Sequence, residues 1–174
     1  MQHPLSFIPI ALRKPLFYSF FALTILIFGV FRMLDQPLRT DAAPSGIVSF
    51  ELAGQIEPAQ NMINSWDANA RLFAAFGLGL DYLFMPAYAI ALSLGLLLAI
   101  NNRKNRYGAF AAWMGWGVLA AAVFDAVENY ALWRELIGPV VDPFPQIAAF
   151  CAAVKFILLI VGLVTALSAK LFAK

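Results

Sequence analysis

The stretch "LGLDYLFMPAYAIALSLGLLLAI" occupies residues 78–100 and carries one charged residue, Asp81. A helix needs about 20 mainly apolar residues to cross the hydrocarbon core of a bilayer. This stretch is long enough, and three others match it: Leu16–Leu34, Ala109–Trp133 and Ile147–Ala169. None alternates with a period of two, which sets a transmembrane barrel aside. The pattern predicts an all-α polytopic membrane protein, a four-transmembrane-helix bundle.

Composition agrees. Of 174 residues, 62% are hydrophobic and 13% charged, with a mean hydropathy of +0.78. A soluble domain carries a charged fraction nearer ~25%. The length fits a single membrane domain. The net charge of +2 comes with no Lys/Arg run interleaved with aromatics, so no nucleic-acid partner is expected. The lone cysteine, Cys151, excludes an intrachain disulfide. With His3 the only histidine, a Cys/His metal site is excluded too, and no cofactor is implied.

The first segment has Arg13 and Lys14 in front of an apolar core, as a signal peptide would. Its core is longer than a typical h-region, and "TDAAP" (40–44) is a poor cleavage site. It reads as a retained helix. Arg13, Lys14, Arg103, Lys104, Arg106, Lys170 and Lys174 lie at the N-terminus, in the 2–3 loop and at the C-terminus. All ten acids lie in the other two loops or inside a helix. The positive-inside rule then predicts both termini in the cytoplasm, with the acidic loops outside.

The outer 1–2 loop is long, about 35–68. Its start, "DQPLRTDAAPSG" (35–46), should be irregular. "IVSFELAG" (47–54) fits a short strand and a helical turn equally well. In "EPAQNMINSW" (57–66), Pro58 suits a first helical turn, and Ala59, Met62, Ile63 and Trp66 share one face. This predicts an amphipathic helix on the outer membrane surface. A helix from Asn69 to Ile100 would be about 48 Å long, more than a ~30 Å hydrocarbon core. It should project beyond the membrane, with Gly77 and Gly79 as bend points.

Polar residues inside these apolar helices mark the place where chemistry can occur. In "FDAVENYALW" (124–133), Asp125, Glu128 and Asn129 share one helical face. Ala121, Ala122 and Leu132 continue it, while Trp113, Trp116, Tyr130 and Trp133 point elsewhere. Asp81, Met85 and Tyr88 share a face of the second helix. There Pro86 frees a carbonyl near Tyr82. The fourth helix carries Lys155 on a small-residue stripe of Ala148, Ala152, Gly162 and Ala166. At 1.5 Å per residue, Glu128 lies about 8 Å below Trp133, Asp125 about 12 Å, and Lys155 about 15 Å below Pro145. Asp81 is near the outer end of its helix. These depths predict one polar pocket beneath the long loop.

Three carboxyls facing one lysine would bury a net charge of −2 if all were ionised. The balance calls for a proton on a carboxyl, for Arg71 or Arg134 reaching in from the rim, or for a bound cation or cationic ligand. A structural network explains the same residues about as well. In it Lys155 pairs with Asp125 or Glu128, and Asn129 and Tyr88 fill the remaining bonds.

The strings "GIVSFELAG" (46–54), "GLDYLFMPAYAIAL" (79–92) and "FDAVENYAL" (124–132) resemble a recurrent pattern in small bacterial four-helix inner-membrane proteins of unknown function. The likeness covers most of the chain from Gly46 on and brings no activity with it. The layout is also similar, in architecture alone, to the emopamil-binding group of sterol-handling proteins.

The leading functional expectation is a binding protein with a pocket open to the outer leaflet. It would take a lipid-like or cationic amphiphile. Asp81, Asp125 and Glu128 would supply charge, Asn129 and Tyr88 hydrogen bonds, and Lys155 the counter-charge. Membrane lipids are the expected surroundings, and self-association stays open. Two alternatives are a membrane-embedded enzyme using a carboxyl as acid or base, and a small proton-coupled transporter. The cytoplasmic halves of the helices lack ionisable residues, which counts against transport.

Overall fold

The computed structural model describes residues 2–100 and 106–169. Arg103, Lys104, Lys170 and Lys174, on which the expected orientation leans, lie outside these residues. The described residues form six α-helices and no strand: α1 Ile10–Leu34, α2 Ile47–Glu51, α3 Ile56–Ser65, α4 Ala68–Ile100, α5 Arg106–Ile137 and α6 Phe144–Ser168. Four of them, α1, α4, α5 and α6, are long and apolar enough to cross a membrane. The fold is a four-helix transmembrane bundle with an amphipathic helix, α3, in the first long loop.

The helices overrun the apolar segments at several ends, because hydropathy marks where a span ends and not where helical hydrogen bonding ends. α5 continues past Trp133 through Arg134 and Glu135, both good helix formers, and stops before Gly138 and Pro139. α6 begins at Phe144, three residues before Ile147. α1 begins at Ile10, six residues before Leu16. There the Arg13 side chain donates to the Ile8 and Ser6 carbonyls, at 3.0 and 3.1 Å. α4 runs unbroken through Gly77, Gly79 and Pro86, and at 33 residues is about 50 Å long. The Asp67 carboxylate caps it by accepting from the Ala70 amide at 2.7 Å. Of the two options for 47–54, the helical turn forms, as α2.

The chain divides into two compact units. One comprises Met1–Ile25, Met85–Val123 and Lys155–Lys174; the other comprises Leu26–Phe84 and Phe124–Val154 and carries the long loop. In the first, Gly162 of α6 lets the helices close up: a Cβ there would lie 2.8 Å from Val118 of α5 and 3.4 Å from Leu92 of α4. His3 does not trail in solvent. Its Nδ1 accepts from the Leu5 amide at 3.1 Å, and its ring fills the space that a side chain at Gly115 would need. Trp116 Nε1 donates to the Gln2 carbonyl beside it at 3.2 Å. Burial pushes the His3 imidazole down to about 4, so it is neutral at cellular pH.

The loop-bearing unit has its own apolar core. Leu38, Phe50, Ala59, Ile63 and Trp66 from the loop pack with Ala70, Ala74 and Leu78 of α4, Ala131 and Leu132 of α5, and Ala148 of α6. The apolar face of α3 is the expected one. It is buried against protein, however, and not laid on a membrane surface, with Ala59, Ile63 and Trp66 all under 5% exposed. Trp66 anchors it. Its Nε1 donates to the Leu38 carbonyl at 2.8 Å, and its ring meets Phe50 edge-on with centroids 5.3 Å apart. Arg71 closes the end of α3 by donating to the Trp66 and Ile63 carbonyls, at 3.2 and 2.9 Å. Asp35 ties the start of the loop to α2. One oxygen accepts from the Ile47 amide at 2.8 Å and the other pairs with Arg39 at 2.9 Å.

Candidate functional site

On α5, Asp125, Glu128 and Asn129 recur at the i, i+3, i+4 spacing that places side chains on one face, and all three are buried. Ala121 and Leu132 continue this buried stripe, whereas Trp113, Trp116, Tyr130 and Trp133 are exposed. Burying Asn129 requires a partner for its amide. Its Nδ2 donates to the Leu78 carbonyl of α4 at 2.9 Å. A second tie between the same helices runs from the Tyr82 hydroxyl to the Ala126 carbonyl, at 3.4 Å. Tyr82 follows Asp81 in α4 and bonds to Ala126, which follows Asp125 in α5, so the two carboxyl-bearing residues flank the same helix contact. The loop-bearing unit thus gathers Asp81, partly buried, with Asp125, Glu128 and Asn129.

Tyr88 and Lys155 belong to the other unit, and both are buried there. The Lys155 ammonium lies 5.0 Å from the centre of the Phe156 ring. The two arginines expected at the rim do not turn inward. Arg71 is exposed and committed to the carbonyls that end α3. Arg134 is exposed, with its guanidinium 5.7 Å from the Phe144 ring centre.

Glu135 is a residue the apolar pattern passes over. Ending the helix at Trp133 puts it in a loop, whereas in the structure α5 carries it to the same face as Glu128, two turns on. It is 1% exposed, and neither carboxyl oxygen has a hydrogen-bond partner among the described residues. The available signal was the seven-residue step from Glu128, because seven residues return a helix to the same side. A buried carboxylate without compensation costs several kcal/mol in a real protein, on the order of 3–5. One oxygen each of Glu128 and Glu51 is also buried without a hydrogen-bond donor, although both residues interact elsewhere.

Charge is sorted between the two units. All ten acids fall in the loop-bearing unit, with four arginines and no lysine, a formal −6. Among the described residues, the other unit holds four bases, Arg13, Lys14, Arg106 and Lys155, and no acid. Arg32, Arg39, Arg71 and Arg134, the only bases of the loop-bearing unit, are all exposed. Among the described residues, no three His, Cys, Asp or Glu side chains come together in a way that could hold a metal ion. Chemically, the stripe can accept hydrogen bonds from, and neutralise, a cation that brings its own N–H donors. Compared with protein-family models, curated proteins and solved structures, the chain matches none.

Proposed function

We propose that the protein binds a lipid-like or cationic amphiphilic molecule in the loop-bearing unit, through Asp81, Asp125, Glu128 and Asn129. The observation that carries this reading is one buried polar face of α5: Asp125, Glu128 and Asn129 are followed two turns on by Glu135, whose two carboxyl oxygens have no hydrogen-bond donor among the described residues. A cationic head group with N–H donors complements that face. Its attraction to a carboxylate is several-fold stronger away from bulk water, because the effective dielectric is lower. The apolar tail of such a ligand is already at home beside helices whose outward residues are Leu, Ile, Val and Phe. Native mass spectrometry of the gently solubilised wild type should show a bound small molecule. The Asp125→Asn/Glu128→Gln double variant should lose it while staying folded. A wild type that flies bare, or a variant that keeps the same bound species, would end this reading.

The same reading places the protein in a bacterial inner membrane with both termini in the cytoplasm. Seven bases and no acid at the N-terminus, in the 2–3 loop and at the C-terminus support this, since Lys and Arg near the helix ends set orientation and acids contribute little. In a Cys151→Ala background, Asp142→Cys should react with an impermeant maleimide added to intact cells, and Ser6→Cys should not. The opposite pattern reverses the orientation.

A further inference from the structure

We propose that Glu135 binds an ammonium group that donates hydrogen bonds, a primary amine, and that a quaternary ammonium does not satisfy it. This rests on the cationic-ligand reading above and deepens it. Three observations carry it. Glu135 is 1% exposed, and both its oxygens are buried without a hydrogen-bond donor among the described residues. It continues the face of α5 that bears Asp125, Glu128 and Asn129. No base in its unit is buried, and the nearest in sequence, Arg134, lies over the Phe144 ring.

Charge alone does not repair such a group. A buried acceptor without a donor loses its hydration and gains nothing in return. Two oxygens without a donor among the described residues ask for two N–H donors on one cation, and charge-assisted hydrogen bonds of that kind are about twice as strong as neutral ones. A primary ammonium carries three donors. A quaternary ammonium carries the same charge and none. A divalent metal ion fits less well, because hard cations take about six to eight oxygen ligands, and among the described residues no group of three or more ligating side chains surrounds this position. Glu135 lies in the last turn of α5, two residues before its end at Ile137. That is the depth at which an amphiphile with its chain in the hydrocarbon carries its head group. A lipid amine and a small soluble amine share this chemistry.

The test compares thermal midpoints of the full-length protein in a neutral detergent at pH 7. The additives are dodecylamine, dodecyltrimethylammonium, dodecanol and n-butylamine at matched free concentrations. Dodecylamine should raise the wild-type midpoint, with an affinity at least about tenfold above that of dodecyltrimethylammonium. That preference should vanish in Glu135→Gln and in Glu135→Leu, while dodecanol has little effect on any form. Equal stabilisation by the primary and quaternary amines overturns the assignment, and so does a preference that survives both substitutions. If one variant fails to fold, the other carries the comparison, and equal stabilisation of the wild type by the two amines overturns the assignment without either. Equal binding of both long-chain amines that is lost in Asp125→Asn removes Glu135 and leaves the amphiphile reading standing. Equal action of n-butylamine and dodecylamine, dependent on Glu135, keeps the amine site and removes the lipid-like ligand. No binding of any amine removes both.

Discussion

Trp66→Ala is expected to destabilise the loop-bearing unit by about 3–5 kcal/mol, the usual range for truncating a buried tryptophan. Trp66 is 3% exposed and sits in the middle of that unit's core. It closes α3 against the start of the loop through the 2.8 Å bond from its Nε1 to the Leu38 carbonyl, and packs edge-on to Phe50. Truncation leaves a cavity and an orphaned carbonyl together. Trp66→Phe separates the two effects. It keeps most of the packing and loses only the donor, at about 1–3 kcal/mol for a buried acceptor left without its partner. Limited proteolysis in mild detergent reads both. Cleavage within 35–67 should rise steeply in Trp66→Ala and moderately in Trp66→Phe. A loop as resistant as wild type in both variants would mean that Trp66 does not hold it.

The second large effect is Gly46→Ala. Gly46 has φ +61° and ψ −130°, a region open to glycine and strained for any other residue, at about 1–3 kcal/mol. A Cβ there would also run into the Asp35 carboxylate. To make room, Asp35 must release the Ile47 amide, a charge-assisted contact of about 1.5–3 kcal/mol, together with its exposed pair to Arg39, which adds little. The combined loss is on the order of 3–5 kcal/mol, measured as a fall in the unfolding midpoint. The partner variant Asp35→Ala isolates the collision. With the carboxylate gone, adding Gly46→Ala should cost only the backbone strain, so the two losses should not add. Strict additivity would place the clash elsewhere.

Much of the architecture was legible because lipid imposes one rule on every span. A run such as 78–100 has to be helical and long, and four such runs give four helices. The face of α5 was legible for a related reason. Asp125, Glu128 and Asn129 at i, i+3 and i+4 cannot all avoid lipid unless that face turns inward, and it does. The loop was legible in part. Ala59, Met62, Ile63 and Trp66 share a face by helical spacing alone, but spacing does not say whether that face meets lipid or protein.

What the sequence by itself determined, then, was the helical class, the four spans, the helical face of α3 and the buried polar stripe, because each follows from a local period or from the cost of exposing a polar group to hydrocarbon. What only the tertiary structure decided was the destination of groups whose partners are distant in the chain. Arg71 is a candidate counter-charge in the sequence, yet it is held by the Ile63 and Trp66 carbonyls that end α3. His3 reads as tail and is buried against Gly115. Glu135 falls beyond the apolar segment and is carried back onto the buried face by a helix that hydrogen bonding, not hydropathy, extends to Ile137. Periodicity records which side of a helix a residue occupies. Whether that side finds a donor, a ring or a vacancy depends on what the rest of the chain packs against it.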